Sequence, residues 1–232
     1  MRIWVTRAAP EGQATARRLR TRGHAPLVAP VLEVRPLDGP EPDLRGVGAI
    51  AFTSRNGVRA FCALTSDRSL PVFAVGRSTA KAARDSGFSR VRSSEAGAMA
   101  LAALIAERRA DFSGDVLHAA PEKPAGDLIG ALKAQGLTAR AHVVYRAEPL
   151  ALSPAALSAL QADPIELDAI TVHSPQAARR LAQFLEVERA AERLVAYCIS
   201  PAAAEPLKKL NFLALRAAQF PTEASLLKLI ES

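Results

Sequence analysis

Ala49-Ile50-Ala51-Phe52-Thr53-Ser54-Arg55-Asn56-Gly57-Val58-Arg59-Ala60-Phe61 is the stretch that decides how this chain is read. Ala49 to Phe52 are apolar without alternation, the pattern of a strand covered on both faces. Thr53 to Asn56 break that run. Val58, Phe61 and Cys62 then fall at helical spacing, which predicts a helix from Gly57 to Leu64. A strand passing into a helix through hydroxyl-bearing residues leaves helix N–H groups facing outward, where a carboxylate or phosphate can bind. Thr53, Ser54 and Asn56 can equally be mere helix caps. What lifts the stretch above a single cap is that the chain repeats it.

Upstream, residues 2–37 read as strand (Ile3–Thr6), helix (Glu11–Arg22), strand (Pro26–Val31) and an exit through Val34-Arg35-Pro36-Leu37. A proline- and glycine-rich link follows from Asp38 to Pro42. Downstream come a strand (Val72–Val75), a helix (Ser78–Ser86) closed by Gly87, a short strand near Val91, and a helix (Ala98–Arg108). From Asp115 the first unit returns. Residues 115–121 match 2–8 in outline, Ala134-Gln135-Gly136 match Thr21-Arg22-Gly23, and Glu148-Pro149-Leu150 match Arg35-Pro36-Leu37. The second unit returns as well. Ala169-Ile170-Thr171-Val172-His173-Ser174 copies Ala49 to Ser54, residues 195–204 correspond to 72–80 with one extra residue, and a closing helix is predicted over Thr222–Ile230.

The order is therefore A, B, A′, B′, with a proline-containing connector after each A. An A unit supplies two strands and a B unit three, so one of each makes a five-stranded parallel α/β sheet. Two pairings satisfy the repeat, A–B with A′–B′ or B–A′ with A–B′. In either, the turns at Thr53, Arg77, His173 and Ser200 fall at carboxyl ends of strands, where α/β sheets bind ligands.

Bulk composition narrows the function classes. The chain has 232 residues, 49% of them apolar and 23% charged, as an ordinary globular protein does. No apolar run approaches the roughly 20 residues of a membrane span, and the N-terminus enters a strand at once, so a cytoplasmic protein without a membrane partner is expected. Cys62 and Cys198 sit inside apolar runs, against a disulfide framework or a metal site. The net charge of +7 favours an acidic partner. Aromatic residues are only 5%, without basic-aromatic interleaving, which argues against nucleic acid. The densest basic run, Arg17 to Arg22, precedes Gly23 at a helix end, where cations complement the helix dipole.

The chain resembles the uroporphyrinogen-III synthase family. The likeness rests on the opening strand with Thr6-Arg7, on residues 52–58, on Ala74-Val75-Gly76-Arg77-Ser78-Thr79-Ala80, on Val143-Val144-Tyr145-Arg146, on Ser174-Pro175 and on Pro221-Thr222. It implies two similar parallel-sheet, flavodoxin-like α/β domains joined by a two-stranded hinge. One is discontinuous, residues 1–35 with 150–232, and the other, 38–146, is inserted, with the hinge near 34–40 and 144–150. It further implies a monomer that closes hydroxymethylbilane, a polycarboxylate, into uroporphyrinogen III in haem biosynthesis. The last pyrrole ring is inverted and water is lost, without cofactor or metal, between the domains. Two turns depart from the family's pattern: Ala119-Ala120 replaces a polar pair, and Ser200-Pro201-Ala202-Ala203-Ala204 keeps one hydroxyl.

For such a substrate, Thr53, Ser54, Asn56, Ser78, Thr79, Ser174 and Ser200 are candidate hydroxyl or amide donors. Arg7, Arg55 and Arg77 are candidate carboxylate partners. Tyr145, which matches the family's tyrosine, is the candidate proton donor to the departing hydroxyl. His118 and His173 end equivalent strands and are read as linings. The rival reading is a non-catalytic two-domain binder of an acidic tetrapyrrole-like ligand, which the alanines at 202–204 would suit.

Overall fold

The computed structural model describes residues 1–94, 97–188 and 190–231. Its elements begin β1 (Arg2–Val5), α1 (Glu11–Arg20), β2 (Ala25–Val28), β3 (Leu32–Pro36), β4 (Val47–Phe52), α2 (Arg55–Leu64), β5 (Val72–Val75) and α3 (Gly76–Asp85). They continue with β6 (Val91–Ser94), α4 (Gly97–Glu107), β7 (Asp115–Pro121), α5 (Leu128–Ala134), β8 (Ala139–Pro149) and α6 (Pro154–Gln161). Last come β9 (Ala169–Val172), α7 (Pro175–Glu188), β10 (Val195–Cys198), α8 (Pro201–Ala204), β11 (Ala214–Ala217) and α9 (Glu223–Ile230). The chain divides into two compact units, Met1–Glu33 with Glu148–Ser232, and Val34–Ala147.

The discontinuous unit holds a five-stranded sheet in the order β11-β10-β9-β1-β2, with its strand pairs parallel. Counted along the unit this is 2-1-3-4-5, the flavodoxin-like order. β1 and β9 are centre strands and read accordingly: Ile3, Trp4, Val5, Ala169, Ile170 and Val172 are all buried. Trp4 packs with Ile170, Val172, Ala177 and Leu181 on one face, and its indole N–H donates to the Ala29 carbonyl at 2.7 Å. Ile3, Val5, Leu19, Leu226 and Ile230 fill the other face.

The continuous unit holds a six-stranded sheet, β3-β8-β7-β4-β5-β6. Setting β3 aside, the order is again 2-1-3-4-5, with β7 and β8 taking the first two places. Every residue of β4 is buried. Phe52 meets Phe61 and Phe88 edge-on at 5.6 and 5.9 Å on one face. Ala49 and Ala51 leave room for Leu101, Ile105 and Leu132 on the other. β1 thus stands beside β9 and β4 beside β7, so each B-type unit pairs with the A-type unit of the other half of the sequence.

Two features depart from expectation. The sheet of residues 34–147 has six strands rather than five, because Leu32 to Pro36, read as a connector, joins β8 as an edge strand. Pro36 lacks an N–H and suits an edge. Helix α6 is the second, absent from the sequence reading. Its signal is local: Ser153 accepts the Ala156 N–H at 3.2 Å and Pro154 takes the first helical position. Where helices start beside strand ends, backbone approaches side chain closely. A Cβ on Gly12 would lie 2.2 Å from the Arg7 carbonyl oxygen, and one on Gly57 3.0 Å from that of Ala119.

Candidate functional site

In each sheet the strand order switches sides between two adjacent parallel strands, β7 and β4 in one unit and β1 and β9 in the other. The carboxyl ends of such a pair frame the crevice in which α/β sheets bind ligands. The two crevices are furnished very differently.

In residues 34–147, Thr53 follows β4 and its hydroxyl lies 3.2 Å from Nε2 of His118 on β7. Ser54, held in an extended conformation, caps α2 by accepting the Gly57 N–H at 3.0 Å. The same hydroxyl lies 2.9 Å from Oη of Tyr145 on β8. Two consecutive hydroxyl residues therefore hold an imidazole and a phenol supplied by the next two strands. His118 is 3% exposed, and burial alone pushes its pKa down to about 4, so the ring is neutral at physiological pH. Tyr145 is 8% exposed and packs in one cluster with Phe52, Val58 and Phe61. Burial raises its pKa and the Ser54 hydrogen bond offsets part of that rise. Ala119 and Ala120, which follow His118 on β7, are buried.

Arg55 and Asn56 stand half-buried in the first turn of α2. Arg77 and Ser78 stand in the first turn of α3, after the neighbouring strand β5, and both are exposed. Thr79, grouped with them from sequence, is 4% exposed on the packed side of α3. One helical step of about 100° separates it from the solvent-facing Ser78.

In the discontinuous unit, Ser174 caps α7 through the Ala177 N–H at 3.1 Å and Ser200 caps α8 through the Ala203 N–H at 3.3 Å. Glu223, at the start of α9, occupies the crevice of this unit. Its carboxylate takes the Thr15 hydroxyl at 2.6 Å and the Arg7 guanidinium at 3.1 Å, with Arg18 at 3.7 Å and His173 at 3.5 Å. Burial would raise this carboxyl, but the hydrogen bond and charge of His173, the Thr15 hydroxyl and the charge of Arg7 outweigh it, holding the pKa at about 2. Arg7, a candidate substrate partner from sequence, is thus engaged by the chain's own carboxylate. Sequence reasoning missed Glu223, although Thr222 capping the Ser225 N–H with an acid next in the first turn is a recognisable helix start. Among the described residues, no group of three His, Cys, Asp or Glu side chains could hold a metal ion, and no helix is long and apolar enough to cross a membrane.

The uroporphyrinogen-III synthase HemD family matches residues 13–228. No curated protein sequence matches the chain. Among solved structures it is similar to the uroporphyrinogen-III synthetase of Helicobacter pylori 26695, with TM-score 0.69 and 19% identity over 100% of this chain and 99% of that one. A mutant uroporphyrinogen III synthase from the extremely thermophilic bacterium Thermus thermophilus gives TM-score 0.61 and 18% identity over 100% of this chain and 97% of that one. At such identities these likenesses establish the two-domain α/β fold.

Proposed function

We propose that this chain, which belongs to the uroporphyrinogen-III synthase family, cyclises hydroxymethylbilane to uroporphyrinogen III with inversion of the last pyrrole ring and release of water, as a lyase of tetrapyrrole biosynthesis. The observation that carries the reading, beyond family membership, is the Thr53–His118 and Ser54–Tyr145 cluster at the carboxyl ends of the strands of residues 34–147. The chemistry begins with departure of hydroxide from a methylene carbon. The C–O electron pair goes to oxygen, the Tyr145 phenol supplies the proton that makes it water, and the pyrrole nitrogen lone pair satisfies the carbon. The ring carbon that finally closes the macrocycle loses a proton, which returns to the phenolate. Neutral His118 adds no positive charge beside the cationic intermediate.

The substrate carries carboxylates on every ring. Arg55, Asn56, Arg77 and Ser78, with the N–H groups at the starts of α2 and α3, are the donors we assign to them in this unit. Arg7 is assigned to Glu223 instead. The reading of a binder without activity drew on the alanines at 202–204. Ala203 and Ala204 are buried in the core, so only position 202 has lost a side chain that could reach a ligand.

The test is a coupled assay with a bilane-forming enzyme. Type III product is the expected result, and only the spontaneous type I isomer would overturn the assignment. Tyr145→Phe should lower turnover roughly 10- to 1000-fold without loss of folding, and unchanged turnover would remove Tyr145 from the mechanism.

A further inference from the structure

Ser54 sits at the meeting point of two interactions that have separate explanations but share one oxygen. It caps α2, accepting the Gly57 N–H at 3.0 Å, and it lies 2.9 Å from the Tyr145 phenol oxygen. A serine hydroxyl has one proton and two lone pairs. With one lone pair committed to Gly57, its proton is free to point at Tyr145. The Gly57 N–H lies in the first turn of a ten-residue helix, at the positive end of its dipole. Hydrogen bonding to that N–H polarises the Ser54 O–H and makes it a better donor.

The geometry points to Ser54 as the positioning residue of the proposed proton donor: its O–H donates to Tyr145 Oη, turns the phenol's own proton outward, and stabilises the phenolate left after proton transfer. This rests on Tyr145 being the acid. The alternative arrangement, with Tyr145 donating to Ser54, would spend the phenol's only proton on a neighbour and leave none for a leaving group. The surroundings make the phenolate's need acute. Tyr145 is 8% exposed among Phe52, Val58 and Phe61, so little water reaches a charge formed there. Among the described residues, the Ser54 hydroxyl is the hydrogen-bond partner recorded for the phenol. Gly57 completes the device. It brings the start of α2 so near β7 that a Cβ would lie 3.0 Å from the Ala119 carbonyl oxygen, which fixes the cap, and Ser54 with it, beside β8.

The variants needed separate the cap from the catalytic effect. Ser54→Gly keeps a tolerated cap residue, removes the hydroxyl and should fold like the parent. Ser54→Thr keeps both functions. We expect Ser54→Gly to lower kcat about 10- to 100-fold with KM changed less than about threefold, and Ser54→Thr to restore most of it. Because the Ser54 bond opposes the rise that burial imposes on Tyr145, its loss should also move the alkaline limb of the kcat profile to higher pH. In Tyr145→Phe, adding Ser54→Gly should cost no further activity, since both act through one proton. If Tyr145→Phe is impaired but Ser54→Gly turns over normally, the positioning role is overturned and the synthase assignment stands. Impairment of Ser54→Gly with an unmoved pH profile, or with losses that multiply in the double variant, overturns it too. Absence of type III product from the parent chain would instead remove the synthase assignment itself.

Discussion

Replacing Glu223 with Gln isolates one carboxylate that Thr15, Arg7, Arg18 and His173 surround. Burial disfavours its charge, and His173, Thr15 and Arg7 more than compensate, so that the group titrates at about 2 instead of 4.5. A carboxyl whose pKa is depressed by folding contributes stability that is fully present above its unfolded pKa and is lost as the pH falls through the folded one. At 1.36 kcal/mol per decade the contribution at pH 7 is about 3 kcal/mol, an upper figure because the side chain keeps 19% exposure. Less than half of it should remain at pH 3. Glutamine keeps the shape and can still accept from Thr15, but it removes the negative charge beside Arg7 and His173. The single tryptophan, Trp4, lies buried in β1 of the same unit, so its fluorescence follows the unfolding of that unit in urea. Glu223→Gln should be less stable than the parent by about 2–3 kcal/mol at pH 7, and the gap should narrow by half or more at pH 3. A gap that stays constant between these pH values, or one below about 0.5 kcal/mol at pH 7, would refute the electrostatic account of this cluster.

Other outcomes follow from single contacts. Gly12→Ala puts a methyl 2.2 Å from the Arg7 carbonyl oxygen, so despite the better helix propensity of alanine it should destabilise by about 2–3 kcal/mol; a neutral or stabilised variant would show that α1 can move off β1 freely. Arg77→Ala, at a solvent-accessible helix start, should raise KM by roughly 5- to 30-fold through a lost carboxylate contact while leaving the melting temperature unchanged. Unchanged KM would take Arg77 out of the substrate site. Residues 34–147 expressed alone should unfold cooperatively, because they hold all but the outer ends of β3 and β8 in their sheet and both of its apolar faces; aggregation or a non-cooperative melt would deny them independence.

What was legible in the sequence was whatever local pattern dictates. The unbroken apolar runs at 49–52 and 169–172 gave centre strands, and Gly23, with φ +77°, closed α1 where its spacing demanded. Strand identity was harder where pairing decides it. Val34-Arg35-Pro36 carries no strand signal of its own and becomes one only because β8 runs 11 residues and offers it an edge. Which A-type unit meets which B-type unit is undetermined by the repeat, which makes the alternatives equal in pattern; only the family resemblance chose the interleaved one. The difference lies in side-chain fit, Trp4 against Ile170 in one sheet and Leu117 against Phe52 in the other, and fit has no period to read. At the site, hydroxyls were correctly placed at strand ends. What their spacing could not convey was that Ser54, Ser174 and Ser200 each spend a lone pair on a helix cap, or that Thr79 turns inward.

The repeat itself shows how the two crevices differ, and that difference guides our choice of one for the chemistry. Where the discontinuous unit has Arg7 after its first strand, the matching position in residues 34–147 is Ala120, and where it has His173 the match is Thr53. The first pair, with Glu223, makes a closed ionic cluster that fills its crevice with charges already satisfied. A polycarboxylate entering there would have to displace Glu223 from Arg7 and Thr15, exchanging one carboxylate for another at no gain in charge pairing. The second pair leaves a small side chain and a hydroxyl, backed by a neutral imidazole and a phenol. A cation forming at that place meets no fixed positive charge from His118, and a departing hydroxide meets a donor. For that reason we assign the proton transfer to residues 34–147. In the other unit, we expect Arg7→Ala to act on stability before it acts on turnover.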